Sequence, residues 1–226
     1  MHQILITNDD GINSPALAAL ENALADLGEV TVVAPDRERS ATSHGITLER
    51  PVRSQQLAKN RFAIEGTPAD CVIAALMQIL SQAPAIVVAG VNCGSNIGSD
   101  ILYSGTVAAA TEARLQGIPA IAVSAHSGSN YELAAEVGAR IAAQVLERGL
   151  PPDVILNVNY PLEWNGEFRL TRQGLRAVEP LTDYEALAMG YVSISPLHIN
   201  RTAHKHFDHF RRWADQLSAS QVRNGV

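Results

Sequence analysis

The sequence of 226 residues is poor in cysteine, since Cys71 and Cys93 are the only two. Two cysteines build no disulfide framework in a chain of this length, so we expect both to be reduced, with Cys71 as a small core residue. No segment approaches the roughly 18 consecutive apolar residues that a membrane-spanning helix requires. The first residues also lack the basic and long apolar segments of a secretory signal. These absences predict a cytoplasmic protein with no membrane partner.

Basic residues are in the minority, because 17 Lys and Arg stand against 23 Asp and Glu, for a formal net charge of -6. Duplex nucleic acid is therefore not an expected partner, since binding it requires a broad basic surface. A small anion is still possible as a ligand, because one metal ion and a few backbone amides can reverse the local field. Hydrophobic residues at 46% and charged residues at 18% are typical of a soluble globular protein.

Two common nucleotide-binding motifs are absent. No lysine follows the glycines of segment 90–105, which disfavours a Walker A loop and ATP chemistry of the P-loop type. No Gly-x-Gly-x-x-Gly follows the first apolar run, which counts against a dinucleotide-binding fold of the Rossmann type. A nucleotide would have to be held by other means.

Short apolar runs alternate with helical patterns along the first two thirds of the chain, which indicates βαβ units and a parallel sheet. The predicted strands are 4–7, 30–34, 61–65, 85–89, 119–124 and 154–157, and the predicted helices are 15–27, 67–80, 106–116 and 131–147. Beyond residue 160 we expect strands at 168–172 and 191–196 and a terminal helix at 203–217. The sequence thus predicts an α/β fold, a three-layer Rossmann-like and mostly parallel sheet. Residues 1–160 would form the catalytic core, and residues 161–226 a small strand-and-helix appendage for oligomerisation.

Polar clusters follow three of the predicted strands. Asp9 and Asp10 follow the first strand, segment 36–44 follows the second, and segment 92–104 follows the strand that ends at residue 89. The carboxyl ends of parallel strands meet at one edge of a sheet, where ligands bind. Adjacent aspartates repel each other unless a cation is near, and oxygen ligands suit a hard divalent ion. A turn with a helix cap is the alternative, but the shared edge favours a metal site.

Ser104, Gly105 and Thr106 stand directly before an alanine-rich helix. Free backbone amides, two hydroxyls and a glycine predict a phosphate site there, with a simple helix cap as the alternative. Segment 67–70 favours a helix cap over a site. The last helical stretch carries three histidines without a cysteine or acidic partner, which favours a solvated or intersubunit face over zinc: His204, His206 and His209.

Six segments, in order along the chain, resemble the survival protein SurE family of nucleotidases. The first is Ile-Thr-Asn-Asp-Asp-Gly at 6–11, and the others are 34–40, 66–71, 91–108, 157–159 and 190–197. Separate motifs in the same order over most of a chain are far more specific than any one of them. The resemblance implies hydrolysis of nucleoside 5′- and 3′-monophosphates to nucleoside and phosphate, and in some members of short polyphosphate.

The resemblance also implies a set of site residues. One divalent cation per subunit, Mg²⁺ or Mn²⁺, would be bound by Asp9, Asp10, Ser40 and Asn92. Asp9 and Asp10 would be the catalytic residues, one of them as the general base. The remaining residues would contact phosphate or substrate: Ser43, Asn96, Ser104, Gly105 and Thr106.

Two departures from the family pattern stand out. After Ser40 the chain reads Ala-Thr-Ser-His, where the family usually has a glycine after the serine and an asparagine near His44. Family members usually have a long hairpin with a Trp-Tyr pair at a point where Pro180 here joins the flanking segments almost directly, so we expect this hairpin to be missing. That hairpin serves subunit assembly in relatives. We expect a homodimer, built through the C-terminal strand and helix, or a homotetramer.

Two other functions are open at this level. One is a broad-specificity acid phosphatase on a similar sheet, and the other is a non-catalytic nucleotide-sensing protein that keeps the fold. The complete set of implied metal ligands favours an enzyme, since a sensor could lose one of them without penalty.

Overall fold

The computed structural model describes residues 1–174 and 182–202, together with Asp208 and Arg211. The junction at Pro180, the three C-terminal histidines and most of the predicted terminal helix lie outside these residues. Among the described residues, no helix is long and apolar enough to cross a membrane.

Strands and helices alternate as the sequence predicts. The strands are β1 (His2–Thr7), β2 (Gly28–Pro35), β3 (Ser54–Ala58), β4 (Arg61–Ile64), β5 (Ile86–Cys93), β6 (Ala120–Ala125), β7 (Val154–Tyr160), β8 (Phe168–Leu170) and β9 (Val192–His198). The α-helices are α1 (Pro15–Leu24), α2 (Pro68–Ala74), α3 (Gly105–Leu115), α4 (Tyr131–Arg148) and α5 (Asp183–Ala188). A π-helical turn, Ala75–Ile79, continues α2, and a 3-10 turn, Gly98–Leu102, precedes α3. The sequence did not predict α5.

The described strands form one sheet in the order β3-β4-β2-β1-β5-β6-β7-β9-β8. The pairs from β4 through β7 are parallel, whereas β3 and β9 run antiparallel to their neighbours β4 and β7. The predicted α/β class with a mostly parallel sheet is confirmed. Strands β9 and β8 continue the sheet of the core, and the division of the chain at residue 160 stays a prediction.

Both faces of the sheet are covered by helices, which gives three layers. In β1, Ile4 and Ile6 pack in a core cluster with α1 and α4, whereas Leu5 between them packs in a second cluster with α2 and α3. Successive strand residues point to opposite faces, so a strand buried on both sides must be apolar throughout. Burial of each Ile or Leu side chain contributes roughly 1.5–3 kcal/mol to the free energy of folding.

Two smaller predictions have clear outcomes. Thr67 caps α2 in a reciprocal pair of hydrogen bonds. The Thr67 hydroxyl accepts from the Asp70 amide, and Asp70 Oδ2 accepts from the Thr67 amide, which confirms the predicted cap. Gly28 directly follows the predicted helix 15–27, at a position where glycine commonly ends a helix, but it is the first residue of β2. A Cβ there would lie 2.3 Å from the carbonyl oxygen of His2, so the close approach of β1 and β2 requires glycine.

Candidate active site

The turn after β1 places the two aspartates. The strand ends at Thr7, and the Asn8 side chain closes the turn by donating to the Gly11 carbonyl at 3.0 Å and accepting from the Gly11 amide at 3.1 Å. Gly11 has φ +96°, and a Cβ there would lie 2.9 Å from the Arg37 backbone. Because the chain has left the strand before Asp9, the alternation of strand side chains does not force Asp9 and Asp10 apart.

Asp9 is 4% exposed and is joined to the start of α3. The Thr106 hydroxyl donates to Asp9 Oδ1 at 2.5 Å, and a Cβ on Gly105 would lie 3.0 Å from the Asp9 Cβ. Burial raises the pKa of Asp9, and the Thr106 hydrogen bond opposes the rise. The acid after β1 and the predicted phosphate segment are therefore in direct contact.

Asp10 is more exposed than Asp9 and is joined to the end of β5, since its Oδ2 accepts from the Cys93 amide at 3.2 Å. Burial raises the pKa of Asp10 to about 6, and the negative charge of Asp9 adds to the rise. Glu38 raises it further. The carboxyl groups of Asp9, Asp10 and Glu38 together give this edge of the sheet a negative potential.

Ser40 lies in the loop after β2, which reaches the same turn because the Arg39 amide donates to the Asp9 carbonyl at 2.7 Å. The exposed Ser40 hydroxyl donates to Glu38 Oε1 at 2.8 Å. The structure thus brings the Ser40 loop to the aspartates, with the hydroxyl paired to Glu38. Sequence reasoning missed Glu38, although an acid inside the charged segment 36–44 was a signal for it.

Asn92 is the penultimate residue of β5, which is longer than predicted. Its Nδ2 donates to the Gly94 carbonyl at 2.6 Å, and its Oδ1 has no hydrogen bond among the described residues. The pairing of β5 with β6 shifts register between Ala89 and Asn92. Within this irregular stretch Gly90 is needed, because a Cβ there would lie 2.2 Å from the Val123 carbonyl oxygen. Asn92 thus presents a free amide oxygen one residue away from the amide that contacts Asp10.

The segment before α3 begins with a helix cap. The Ser104 hydroxyl accepts from the Val107 amide at 3.1 Å, so the cap that was the alternative reading is realised at Ser104. The hydroxyl hydrogen of such a cap can still donate, and the amides of the first helical turn have no partner within the helix. A phosphate site at Ser104, Gly105 and Thr106 stays a prediction that this geometry accommodates.

Asn96 is buried and ties the loop after β5 to the sheet. Its Nδ2 donates to Ser124 Oγ at 2.8 Å, and its amide donates to Asn159 Oδ1 at 2.8 Å. Its carbonyl oxygen accepts from Asn157 Nδ2 at 2.8 Å and from Asn159 Nδ2 at 3.0 Å. The site-shaping roles of Ser124, Asn157 and Asn159 were not predicted, although two asparagines spaced by one valine pointed to them. A contact of Asn96 with phosphate stays a prediction.

Ser43 fixes the loop after β2 against the 3-10 turn. Its hydroxyl donates to the Leu102 carbonyl at 2.8 Å, and its amide donates to the Tyr103 carbonyl at 2.9 Å. Next to it, His44 Nε2 lies 2.9 Å from Glu112 Oε2 on α3. Ser43 and Ser104 both line a groove with a volume of about 420 Å³.

The donor set at the aspartates fits a hard cation. Among the described residues, no three His, Cys, Asp or Glu side chains are placed to share an ion. A cation here would therefore have two carboxylates and would complete its shell with neutral oxygens such as those of Ser40 and Asn92. An all-oxygen set of this kind suits Mg²⁺ or Mn²⁺ and not the sulfur- and nitrogen-preferring metals.

The family model described as Survival protein SurE matches residues 4–180. The chain belongs to the SurE family. Two relatives named 5′-nucleotidase SurE are each 44% identical to this chain. The alignment with the protein of Citrifermentans bemidjiense has 245 residues and covers 93% of this chain and 98% of the relative. The alignment with the protein of Geobacter sulfurreducens has 255 residues and covers 98% of this chain and 97% of the relative. The crystal structure of the SurE protein from Aquifex aeolicus superposes with a TM-score of 0.89 at 37% identity, covering 94% of this chain and 99% of that one.

Both alignments to SurE relatives are longer than the 226 residues of this chain. They therefore contain positions that the relatives fill and this chain does not. The family match ends at residue 180, where we expect the SurE hairpin to be missing. The loss of that particular hairpin stays a prediction.

Proposed function

We propose that this protein is a divalent-metal-dependent phosphomonoesterase that hydrolyses nucleoside 5′- and 3′-monophosphates to nucleoside and phosphate. The observation that carries the proposal is the joining of the Asp9-Asp10 turn to the first turn of α3 through Thr106. Relatives named 5′-nucleotidase SurE, 44% identical over nearly the whole chain, support a nucleotide as substrate. They disfavour a broad-specificity acid phosphatase and a nucleotide sensor. Short polyphosphate is a further substrate that we propose.

One Mg²⁺ or Mn²⁺ per subunit would be held by Asp9, Asp10, Ser40 and Asn92. When bound, the ion supplies positive charge that polarises phosphoryl oxygens and makes a water more acidic. The raised pKa of both aspartates and the free Oδ1 of Asn92 support these ligands. Ser40 would exchange its hydrogen bond to Glu38 for the ion.

The start of α3 would bind the phosphate. The amides of Gly105 and Thr106 and the hydroxyl hydrogen of Ser104 are donors at a helix N-terminus, which favours negative charge. Gly105 lacks a side chain beside Asp9, so a phosphoryl group can approach both the amides and the carboxylate. Ser43 and Asn96 would contact the phosphate or the substrate from the two flanking loops. Their bonds to the Leu102 carbonyl and to β6 and β7 hold these loops in place.

Asp9 and Asp10 are the catalytic residues of this proposal. Asp9 is buried and accepts the Thr106 hydroxyl, whereas Asp10 is the more accessible carboxylate. We therefore assign to Asp10 the acceptance of the proton from the attacking water. Asp9 would act as a metal ligand whose position relative to the phosphate site is set by its hydrogen bond with Thr106.

We also infer a cytoplasmic protein that forms a homodimer or homotetramer through residues 161–226. Cys71, which is buried, and Cys93, which is exposed, are both free thiols, which supports a reducing compartment. The SurE resemblance supports self-association, and the mass in solution measured by light scattering tests it.

A metal-by-substrate matrix tests the function. Phosphate release from 5′-AMP, 3′-AMP and tripolyphosphate is measured with EDTA, Mg²⁺ and Mn²⁺. We expect activity only with a divalent ion, a loss of at least 100-fold in Asp10→Asn, and no change in Asp26→Asn, an exposed matched control. Activity that persists in EDTA and in Asp10→Asn would overturn the metal mechanism.

A further inference from the structure

The groove beside the candidate site has an unusual distribution of charge for an acidic chain. It begins at Ser43 and Ser104 and follows α3 to Thr111. Seven helical residues span about 10 Å, and a volume of about 420 Å³ lies within the range of small-ligand pockets. No acidic residue is among the described residues that line it, although the chain has 23 acids.

The positive charge of the groove comes from two arginines. Of its basic residues, His44 and His198 are paired with Glu112 and Asp153. Arg172 and Arg201 line the groove without a side-chain hydrogen bond or ion pair to any residue that the structure describes. A guanidinium without a partner beside a concave surface is a ready ligand for an anionic oxygen group.

Arg201 stands at the end of the groove away from the phosphate segment. It follows β9, whose last residue, His198, pairs with Val154 at the beginning of β7. The aspartates and Ser104 lie at the opposite edge, where the parallel strands end. The groove thus runs from the candidate phosphate site toward a second cationic position.

The lining favours a phosphoryl group over a nucleobase as the ligand of this position. No Phe, Tyr or Trp is among the described residues that line the groove, so a base would find only the imidazoles of His44 and His198, which are paired with acids. Its apolar part is aliphatic, with Val107, Ile155 and Leu197, and can pack against the sugar of a nucleoside.

We propose that this groove binds a second phosphoryl group of the substrate, with Arg172 and Arg201 as its ligands. The inference rests on the proposed function, since the first phosphoryl group is the one at the aspartates. The substrate class is a phosphate ester with two separated phosphoryl groups, such as a nucleoside 3′,5′-bisphosphate. A short inorganic polyphosphate presents the same chemistry.

The test compares adenosine 3′,5′-bisphosphate, 5′-AMP, tripolyphosphate and 4-nitrophenyl phosphate as substrates. We expect kcat/KM for the bisphosphate to exceed that for 5′-AMP about 100-fold, because each of the two arginines supplies one charge-assisted contact of about tenfold. Arg172→Ala and Arg201→Ala should each lower kcat/KM for the bisphosphate about tenfold, through a higher KM. Neither variant should change kcat/KM for 4-nitrophenyl phosphate, which has a single phosphoryl group. Arg53→Ala removes an exposed arginine outside the groove and should change neither.

The outcomes separate cleanly. If both arginine variants lower kcat/KM for tripolyphosphate as well, the groove recognises phosphoryl groups from either source; if only the bisphosphate is affected, the second group is on the nucleoside. Equal losses on 4-nitrophenyl phosphate, or no effect of either variant, would overturn the inference. If the wild type hydrolyses none of these substrates, the proposed function is wrong, and the groove is then tested by equilibrium binding of the bisphosphate. An affinity that is unchanged in both arginine variants would overturn the proposed second phosphoryl site.

Discussion

The Thr106 hydroxyl donates a hydrogen bond to Oδ1 of Asp9, although 97 residues separate the two in sequence. The bond is buried and joins the turn after β1 to the first turn of α3. Asp9 belongs to the proposed metal site, and the amides beside Thr106 belong to the proposed phosphate site. Their relative position is therefore set by one side-chain contact across the sheet edge.

Removal of the Thr106 hydroxyl is the first prediction. Thr106→Val keeps the shape of the side chain but leaves a buried carboxylate oxygen without its donor, which costs about 1.5–3 kcal/mol for a charged group. We expect the free energy of unfolding to fall by about that amount and phosphate release from 5′-AMP to fall at least tenfold, measured by urea denaturation and a phosphate assay. Thr106→Ser retains a hydroxyl and should keep most of the stability and most of the activity of the wild type. Equal behaviour of the two variants would contradict a role for the hydroxyl.

Replacement of Gly105 by alanine is predicted to disturb the contact between α3 and the turn after β1. A Cβ there would lie 3.0 Å from both the Asp9 Cβ and the Pro68 Cγ, so Gly105→Ala should push the turn after β1 away from α3. We expect kcat/KM for 5′-AMP to fall at least tenfold. Gly117→Ala is the contrast, because its φ of +83° makes alanine strained but nothing lies within 4 Å. That variant should lose about 1 kcal/mol of stability and keep its activity.

The charge of Asp10 should make the metal-free protein less stable as pH rises. Its pKa is 3.8 in the unfolded chain and about 6 in the folded one, so between these values the folded state binds more protons and stability falls with pH. Asp10→Asn removes this loss. In EDTA, we expect the free energy of unfolding of Asp10→Asn to exceed that of the wild type by an amount that grows from pH 4 to pH 7 and reaches about 1 kcal/mol after allowance for solvent screening. The Tm of the variant should be higher than that of the wild type over the same range.

In excess Mg²⁺ or Mn²⁺, the Tm of the wild type should exceed that of Asp10→Asn, the reverse of the order expected in EDTA. A metal that binds only the folded state stabilises it, and a ligand set without Asp10 binds it more weakly. A Tm difference that is flat with pH in EDTA would show that Asp10 has no raised pKa.

The asparagines of β7 should support activity without contacting substrate. Asn159 exchanges two hydrogen bonds with the backbone of Asn96, one from its Nδ2 and one to its Oδ1. Asn159→Ala leaves the buried amide and carbonyl of Asn96 with fewer partners, which should cost about 1–3 kcal/mol. We expect a lower Tm together with a raised KM for 5′-AMP, because the loop after β5 is no longer held to the sheet. A lower Tm with unchanged KM and kcat would limit Asn159 to a structural role.

Sequence reasoning succeeded where the signal is local. The buried strands, the capped helix α2 and the aspartates after β1 follow from periodicity, caps and turn residues within a few positions of one another. It was less accurate where distant segments decide the outcome. Gly28 matches a helix C-terminus by its neighbours, yet it begins β2 because the backbone of His2 passes close to it. The helix α5 was missed, since its six residues are too few to show a clear period.

The same division holds for the candidate site. The sequence by itself determined that the two aspartates, a charged loop and a glycine-rich segment come at the ends of parallel strands, because chain direction puts those ends at one edge. Only the tertiary structure decided how they meet: the Thr106 hydroxyl on Asp9, the Cys93 amide on Asp10, and the Arg39 amide on the Asp9 carbonyl. These contacts join residues that are far apart in sequence, and hydrogen bonds form only between atoms that packing brings within about 3 Å, which no local pattern records.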